Sequence, residues 1–252
     1  DIIDYELVST ESILKTAYNH KKEILKFRND LCKKQVELGK TSAPYYYILP
    51  LEQHDKSELV RLVNLLKEHG VEVYTLEEEV YYGSIRFSKG DIVVPLSQAY
   101  RSFIKEVMED QEYPVRHYTK GGAIIKPYDI ASWSLPLHNG LKSYEIESPI
   151  RGLESSIKMI EENYSLNAEK KESKYLLFSV NLNESYKIAF LAASLNMKPE
   201  RTTEQLTING KTYPKGSFLL QNKSSDSFTE FLAENVSVSP VYIDKKPASE
   251  KF

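Results

Sequence analysis

The stretch that decides the fold is residues 87–94, which reads F-S-K-G-D-I-V-V and joins a polar turn to a short apolar run. Gly90 lets the chain reverse there, and the branched side chains after it are typical of a buried strand. The pattern returns at residues 213–220 as Y-P-K-G-S-F-L-L. The sequence therefore predicts an internal duplication, with chance similarity of two α/β units as the alternative.

Each copy of this pattern lies in a run of segments that keeps one order: strand, helix, strand, turn, strand, helix. The first run occupies residues 45–49, 57–69, 71–76, 87–94 and 97–110. The second run occupies residues 175–180, 184–196, 201–208, 213–220 and 227–234, with a hairpin turn at Asn209-Gly210. Helices alternating with turn-joined strands predict an α/β fold with mixed sheets.

Two further helices are predicted outside these runs. An apolar stripe indicates a long N-terminal helix over residues 10–40, ended by Gly39, and a connecting helix over residues 151–163. Residues 245–252 are polar and are expected to be frayed. The expected organisation is residues 1–43 as an N-terminal helix, 44–150 as the first α/β unit, and 151–252 as the connecting helix and second unit.

Composition excludes several functional classes. The chain has 252 residues and a net charge of -3, with Lys+Arg 33 against Asp+Glu 36, so nucleic-acid binding is disfavoured. The single cysteine, Cys32, excludes an internal disulfide and a multi-thiolate metal site. No apolar run approaches a membrane span of about 20 residues. The chain starts at Asp1 without a signal peptide, as a processed protein or an excised fragment would.

A second informative stretch is residues 126–141, K-P-Y-D-I-A-S-W-S-L-P-L-H-N-G-L, which contains the only Trp. Its two prolines favour an extended, pinned segment. Asp129, between Tyr128 and Trp133, could hold a ligand's hydroxyl or amine in an aromatic cleft, or could accept backbone hydrogen bonds in a bend. The candidate ligand-binding residues of the chain are Gln98, Arg101, Tyr128, Asp129, Trp133 and His138.

Gln98 and Arg101 open a predicted helix after a strand, where Arg and backbone donors could meet an anion. A surface Arg at a helix start is the simpler interpretation. A metal site is disfavoured: His20 and Glu23 spell H-x-x-E with His138 far downstream, but the pair lies on a lysine-rich helix face rather than at a strand end. No nucleophile elbow, phosphate loop or dinucleotide fingerprint occurs, so no catalytic residue and no cofactor are predicted for this chain.

Several short blocks occur in one order and carry a resemblance. They are Q-A-Y-R at residues 98–101, Q-E-Y-P at 111–114, P-Y-D at 127–129, Trp133, L-P at 135–136 and G-L at 140–141. This order resembles the region downstream of the catalytic domain in large bacterial zinc carboxypeptidase-like proteins of the carboxypeptidase A/B superfamily. The resemblance covers residues 44–141 well, and the second copy by position only.

The resemblance implies which domains adjoin this chain, and it assigns no functional residue to the chain itself. In such proteins the zinc ligands and the catalytic Glu belong to an N-terminal domain, so no catalytic or metal residue carries over to this chain. The implied partner is that catalytic domain in the same polypeptide, and an amidotransferase-like domain would follow beyond Phe252. Export of bacterial members implies a periplasmic or extracellular location.

Two functional hypotheses follow. The first is a non-catalytic accessory domain of a zinc metallopeptidase, packing on the catalytic unit or shaping substrate access. The second is a peptide- or glycan-binding module that uses an aromatic cleft around Tyr128, Asp129 and Trp133. A third possibility, a self-standing hydrolase or transferase, would need a nucleophile beside His138.

Overall fold

The chain begins with a long helical arm that ends on the body of the protein. A computed structural model describes residues 1–111, 114–126, 133–167, 171–223 and 225–252. Helix α1 (Ile2–Asn19) and helix α2 (Lys21–Thr41) meet at His20, which adopts φ -106. The helix predicted from residue 10 starts earlier, because the Asp1 side chain accepts the Ile3 N–H at 3.3 Å.

The first sheet is antiparallel, with the order β6-β1-β5-β2-β7. Its elements are β1 (Tyr46–Leu49), α3 (Lys56–Glu68), β2 (Tyr74–Leu76), the hairpin β3 (Val80–Tyr82) and β4 (Ile85–Phe87), β5 (Ile92–Pro95), α4 (Arg101–Met108), α5 (Leu135–His138), β6 (Tyr144–Ile146) and β7 (Ile157–Met159). Strand β1 is buried on both faces, with Tyr47 and Leu49 under α3 and α4, and Ile48 under the hairpin.

The second sheet is also antiparallel, with the order β13-β8-β12-β9-β14. Its elements are β8 (Tyr175–Phe178), α6 (Asn183–Ser194), β9 (Glu200–Thr202), the hairpin β10 (Leu206–Ile208) and β11 (Lys211–Tyr213), β12 (Phe218–Gln221), α7 (Asp226–Asn235), β13 (Val241–Ile243) and β14 (Ser249–Lys251). Its core includes Leu176, Phe218 and Leu220, which contact the apolar residues of α6 and α7.

The turns quoted at the outset have the same geometry in both sheets. Gly90 donates its N–H to the Leu76 carbonyl at 2.8 Å, and Gly216 donates to the Thr202 carbonyl at 2.9 Å. Both glycines adopt a positive φ, 94 and 90, which a side chain would strain. The two sheets thus share strand order and turn geometry, while their origin by duplication stays a prediction.

The α/β class and the long N-terminal helix are confirmed, and two details are corrected first. All pairings between the named strands are antiparallel, not mixed, because each unit joins its strands by a hairpin or an antiparallel return. Gly39 lies inside α2, where a Cβ would overlap the Leu96 carbonyl. It therefore allows close packing of the helix rather than ending it.

The segments predicted as a connecting helix and a frayed tail are largely extended. Gly152 adopts φ 82, and a 3₁₀ turn at Leu153–Ser155 leads straight into β7. At the other end, β14 pairs with β9, and the Phe252 ring lies 5.2 Å from the rings of Phe190 and Phe218. Sheet pairing and ring contacts therefore order both segments.

Candidate functional site

Gln98 is a structural residue in the turn between β5 and α4. Its Oε1 accepts the Glu72 N–H at 2.9 Å, and its Nε2 donates to the carbonyls of Pro95 at 2.6 Å and Glu72 at 3.1 Å. The residue is 7% exposed. Its amide is thus bonded within the turn and does not face a ligand.

Arg101 also points into the body. Its Nη2 donates to the Ala43 carbonyl at 2.9 Å and the Ser42 carbonyl at 3.4 Å, and the residue is 9% exposed. Its Nε is buried with no partner among the described residues. The guanidinium therefore holds the connection between α2 and β1 in place, and Arg101 is a buried residue rather than the surface Arg of the simpler interpretation.

Two of the remaining candidates, Trp133 and His138, lie at helix α5, which contacts α4. Trp133 is 50% exposed and precedes α5, and His138 is exposed at the last residue of that helix. Tyr128 and Asp129 lie outside the described residues, so the aromatic cleft stays a prediction. His20 and Glu23 are exposed on the arm, and the described part of the chain holds no group of three His, Cys, Asp or Glu arranged for a metal ion.

The most conspicuous surface is an apolar face along the helical arm, which we call the arm face. All residues from 1 to 31 are exposed. The exposed apolar side chains of the arm face are Ile2, Ile3, Leu7, Ile13, Leu14, Tyr18, Ile24, Leu25, Phe27 and Leu31. At 1.5 Å per residue, the exposed part is about 45 Å long.

The α2 part of the arm face continues onto the body. With 3.6 residues per turn in α2, Cys32, Gln35 and Gly39 fall on the same side as Ile24 and Leu31. There the arm packs against α4, and Gln35 Oε1 accepts the Ser102 hydroxyl at 2.9 Å. One continuous face is therefore covered at its C-terminal end and bare along the rest.

The opposite side of the arm is charged and solvated. Lys15 contacts Glu11 at 2.6 Å, and Lys26 contacts Asp30 at 2.8 Å. The hydrogen bond from Lys26 lowers the pKa of Asp30. These exposed i, i+4 pairs support the helix weakly and mark the side that faces water.

A second feature joins the two α/β units. The Asp55 carboxylate caps α3 by accepting the Ser57 N–H at 2.8 Å, and its other oxygen accepts the Asn183 N–H at 2.8 Å. Asn183 is the first residue of α6, which has no side-chain cap from its own N-cap residue, Leu182. One carboxylate therefore satisfies the positive ends of two helices.

The sequence indicates that Asp55 caps α3 but not that it contacts α6. Asp55 followed by Glu58 three positions later is the pattern of a helix start. Nothing local indicates that the same side chain reaches α6. The second role of Asp55 is not visible in the sequence, because only the tertiary structure brings the two helix ends together.

No helix in the described ranges is both long and apolar enough to cross a bilayer. Searches of known family models, curated proteins and solved structures find no match for this chain.

Proposed function

We propose that this chain is a non-catalytic accessory module whose arm face packs on another folded domain. By the sequence resemblance, that domain is the catalytic unit of a zinc carboxypeptidase-like protein in the same polypeptide. Zinc would then belong to the partner domain, and a periplasmic or extracellular location would follow. The observation that carries the proposal is the continuity of the arm face from the body into solvent.

The shape of the arm face favours a broad protein surface as its partner. Its apolar side chains cover about half of the helix circumference, which is typical of a helix on a globular core. A two-stranded coiled coil uses a narrower seam of two positions per heptad. Lys21 and Arg28 fall inside the face, and a folded domain can supply carboxylates to meet them.

The proposed lack of catalysis is supported by what the candidate residues do. Gln98 bonds to backbone groups of its own unit, and Arg101 bonds to the carbonyls of Ser42 and Ala43 at the end of the arm. His20 and Glu23 project from the arm into solvent. One observation favours the alternative of peptide or glycan binding around Trp133, since that residue is 50% exposed and exposed aromatic rings can stack on a ligand.

The test substitutes the arm face and compares two contexts. Leu14→Asp with Ile24→Asp places two carboxylates on the arm face, whereas Asn19→Asp with Asn29→Asp places them on the charged side. In this chain alone, we expect both pairs to leave the urea midpoint nearly unchanged. In the complete polypeptide, only the arm-face pair should lower it, and arm amides should be protected from hydrogen exchange.

Three results would contradict the proposal. Arm amides that exchange equally fast in both contexts would remove the docking role. A dimer of this chain that dissociates in the arm-face variant would assign the face to a second copy. One zinc held tightly per isolated chain, measured by mass spectrometry, would end the non-catalytic interpretation.

A further inference from the structure

Both units carry a groove at the same topological position. The β3 groove, of about 590 Å³, lies between strand β3 and residues 148–156. The β10 groove, of about 490 Å³, lies between strand β10 and residues 243–248. In each case the first strand of the hairpin forms one wall. The segment that precedes strand β7 or strand β14 forms the other wall.

Equivalent backbone bonds close one end of each groove. Glu77 donates its N–H to the Ser156 carbonyl at 2.8 Å, and Thr203 donates to the Ala248 carbonyl at 3.0 Å. Each bond ties the start of the hairpin to the opposite wall. The spacing of the two walls is therefore fixed by the fold and does not depend on exposed side chains.

The β3 wall presents an open strand edge. Tyr82 pairs with Ile85 across a two-residue loop, and Tyr81 pairs with Arg86. Because hydrogen-bonded and non-hydrogen-bonded pairs alternate in an antiparallel ladder, the N–H and C=O of Tyr81 point away from β4. The groove is lined by β3 residues and by none of β4, so this open edge faces it. Such an edge is a template for another strand.

The charges around the β3 groove are unbalanced. Glu79 is already occupied, since it contacts Arg86 at 3.1 Å and accepts the Tyr81 hydroxyl at 2.5 Å. Arg151, on the opposite wall, is exposed and has no carboxylate partner among the described residues. The groove therefore has one uncompensated positive charge across from an open strand edge.

The β10 groove differs in this respect. Glu204 and Asp244 line it together with Lys245 and Lys246, and Lys246 contacts Glu200 at 2.8 Å. Because Lys246 is paired with Glu200, the remaining charged groups are two carboxylates and Lys245, which leaves an excess of negative charge. The two grooves therefore share their architecture, but only the β3 groove has an excess positive charge that would select an anionic side chain.

We propose that the β3 groove binds an extended peptide segment that adds to β3 as a third strand and directs a carboxylate to Arg151. Main-chain hydrogen bonds to Tyr81 would supply affinity, and the guanidinium would supply selectivity. Three strand residues span about 10 Å, so a core of three or four peptide residues fills the groove. This site does not involve the arm face, and its failure would leave the docking proposal intact.

The probe is a fluorescein-labelled, acetylated peptide TVEVEVT, compared with TVKVKVT by fluorescence anisotropy on the full chain. Tyr81→Pro removes the outward N–H, and Tyr81→Thr removes the same ring while keeping that N–H. We expect the Pro variant to lose binding and the Thr variant to retain it. Arg151→Glu should weaken the acidic peptide about tenfold and reverse the preference between the two peptides.

Several results would overturn the proposal. These are equal binding of acidic and basic peptides, equal binding by the two Tyr81 variants, or no binding of TVEVEVT at millimolar concentration. Binding of an N-acetylglucosamine oligomer without the peptide would assign the groove to a glycan. Circular dichroism checks that Tyr81→Pro folds, and the exposed Arg151→Glu variant tests the charge independently of it.

Discussion

Replacing Asp55 by Asn should loosen the junction between the two units while leaving α3 capped. Oδ1 of Asp55 accepts three bonds within α3, from the N–H groups of Ser57 and Glu58 and from the Ser57 hydroxyl. Only Oδ2 accepts the Asn183 N–H. An Asn side chain keeps the first acceptor and turns an amide NH₂ against that N–H, so two donors face each other.

The magnitude follows from burial and charge. Asp55 is 6% exposed, so the displaced N–H of Asn183 finds little water. Losing a hydrogen bond to a charged group and leaving a donor unpaired costs about 2 to 3 kcal/mol. Asp55→Ala also removes the α3 cap, which adds about 1 kcal/mol.

A double-mutant cycle measures the link itself. Asn183→Pro deletes the N–H at the first position of α6, where proline is well tolerated, and Leu182 before it is already extended at ψ 127. Asn183→Ala serves as its control, because it removes only the side chain that donates to Glu58 at 3.0 Å. Urea unfolding followed by circular dichroism gives each free energy.

We expect a coupling of about 2 kcal/mol between Asp55→Asn and Asn183→Pro, relative to Asn183→Ala. If the Asp55→Asn variant unfolds at the same urea concentration as the unchanged protein, the bond from the Asn183 N–H to Asp55 contributes nothing to the free energy of unfolding. If the two substitutions add, Asp55 stabilises α6 by some route other than this bond. Either result would refute the junction as described.

Three further substitutions test other parts of the structure. Gly39→Ala should cost more than about 3 kcal/mol and lower the thermal midpoint, because its Cβ would meet a backbone carbonyl that cannot turn aside. Burial, with the charge of Glu154, raises the pKa of Tyr46 to about 12, so the stability that its neutral hydroxyl contributes is present below pH 10 and is lost as pH rises towards 12. Tyr46→Phe should flatten that part of an alkaline unfolding curve. Phe252→Ala should cost about 2 kcal/mol in urea unfolding, since it removes two edge-to-face ring contacts at the end of β14.

The sequence predicted correctly the turns whose backbone conformation depends on the turn residues themselves. The Asn209-Gly210 turn is confirmed, with φ of 51 and 76 and Ile208 paired to Lys211. By contrast, Leu153, Ile157 and Ile160 have helical spacing, but Leu153 lies in a 3₁₀ turn, Ile157 lies in the edge strand β7, and Ile160 follows that strand. Gly152 in a left-handed conformation and pairing with β2 override the periodicity there.

The orientation of Gln98 and Arg101 could not be predicted for a different reason. A polar residue at a helix start can meet an anion or satisfy a nearby carbonyl, and the local sequence is the same in both cases. Ala43 presents an unpaired carbonyl only because α2 and β1 are brought beside α4. The carbonyl that decides the orientation of Arg101 is therefore distant in sequence, and no local sequence pattern indicates it.

The arm links folding to association. An isolated helix is marginal in water, and most helical stability in proteins comes from burying an apolar face. Only the last turns of α2, near Gln35 and Gly39, have that support within the chain. Residues 2–31 would gain about 1.5 to 3 kcal/mol for each large side chain that a partner buried completely. Under the proposed docking, order in the arm and docking of the arm face are one equilibrium, so a substitution such as Leu14→Asp that prevents docking should also reduce helicity in a polypeptide that carries the partner domain.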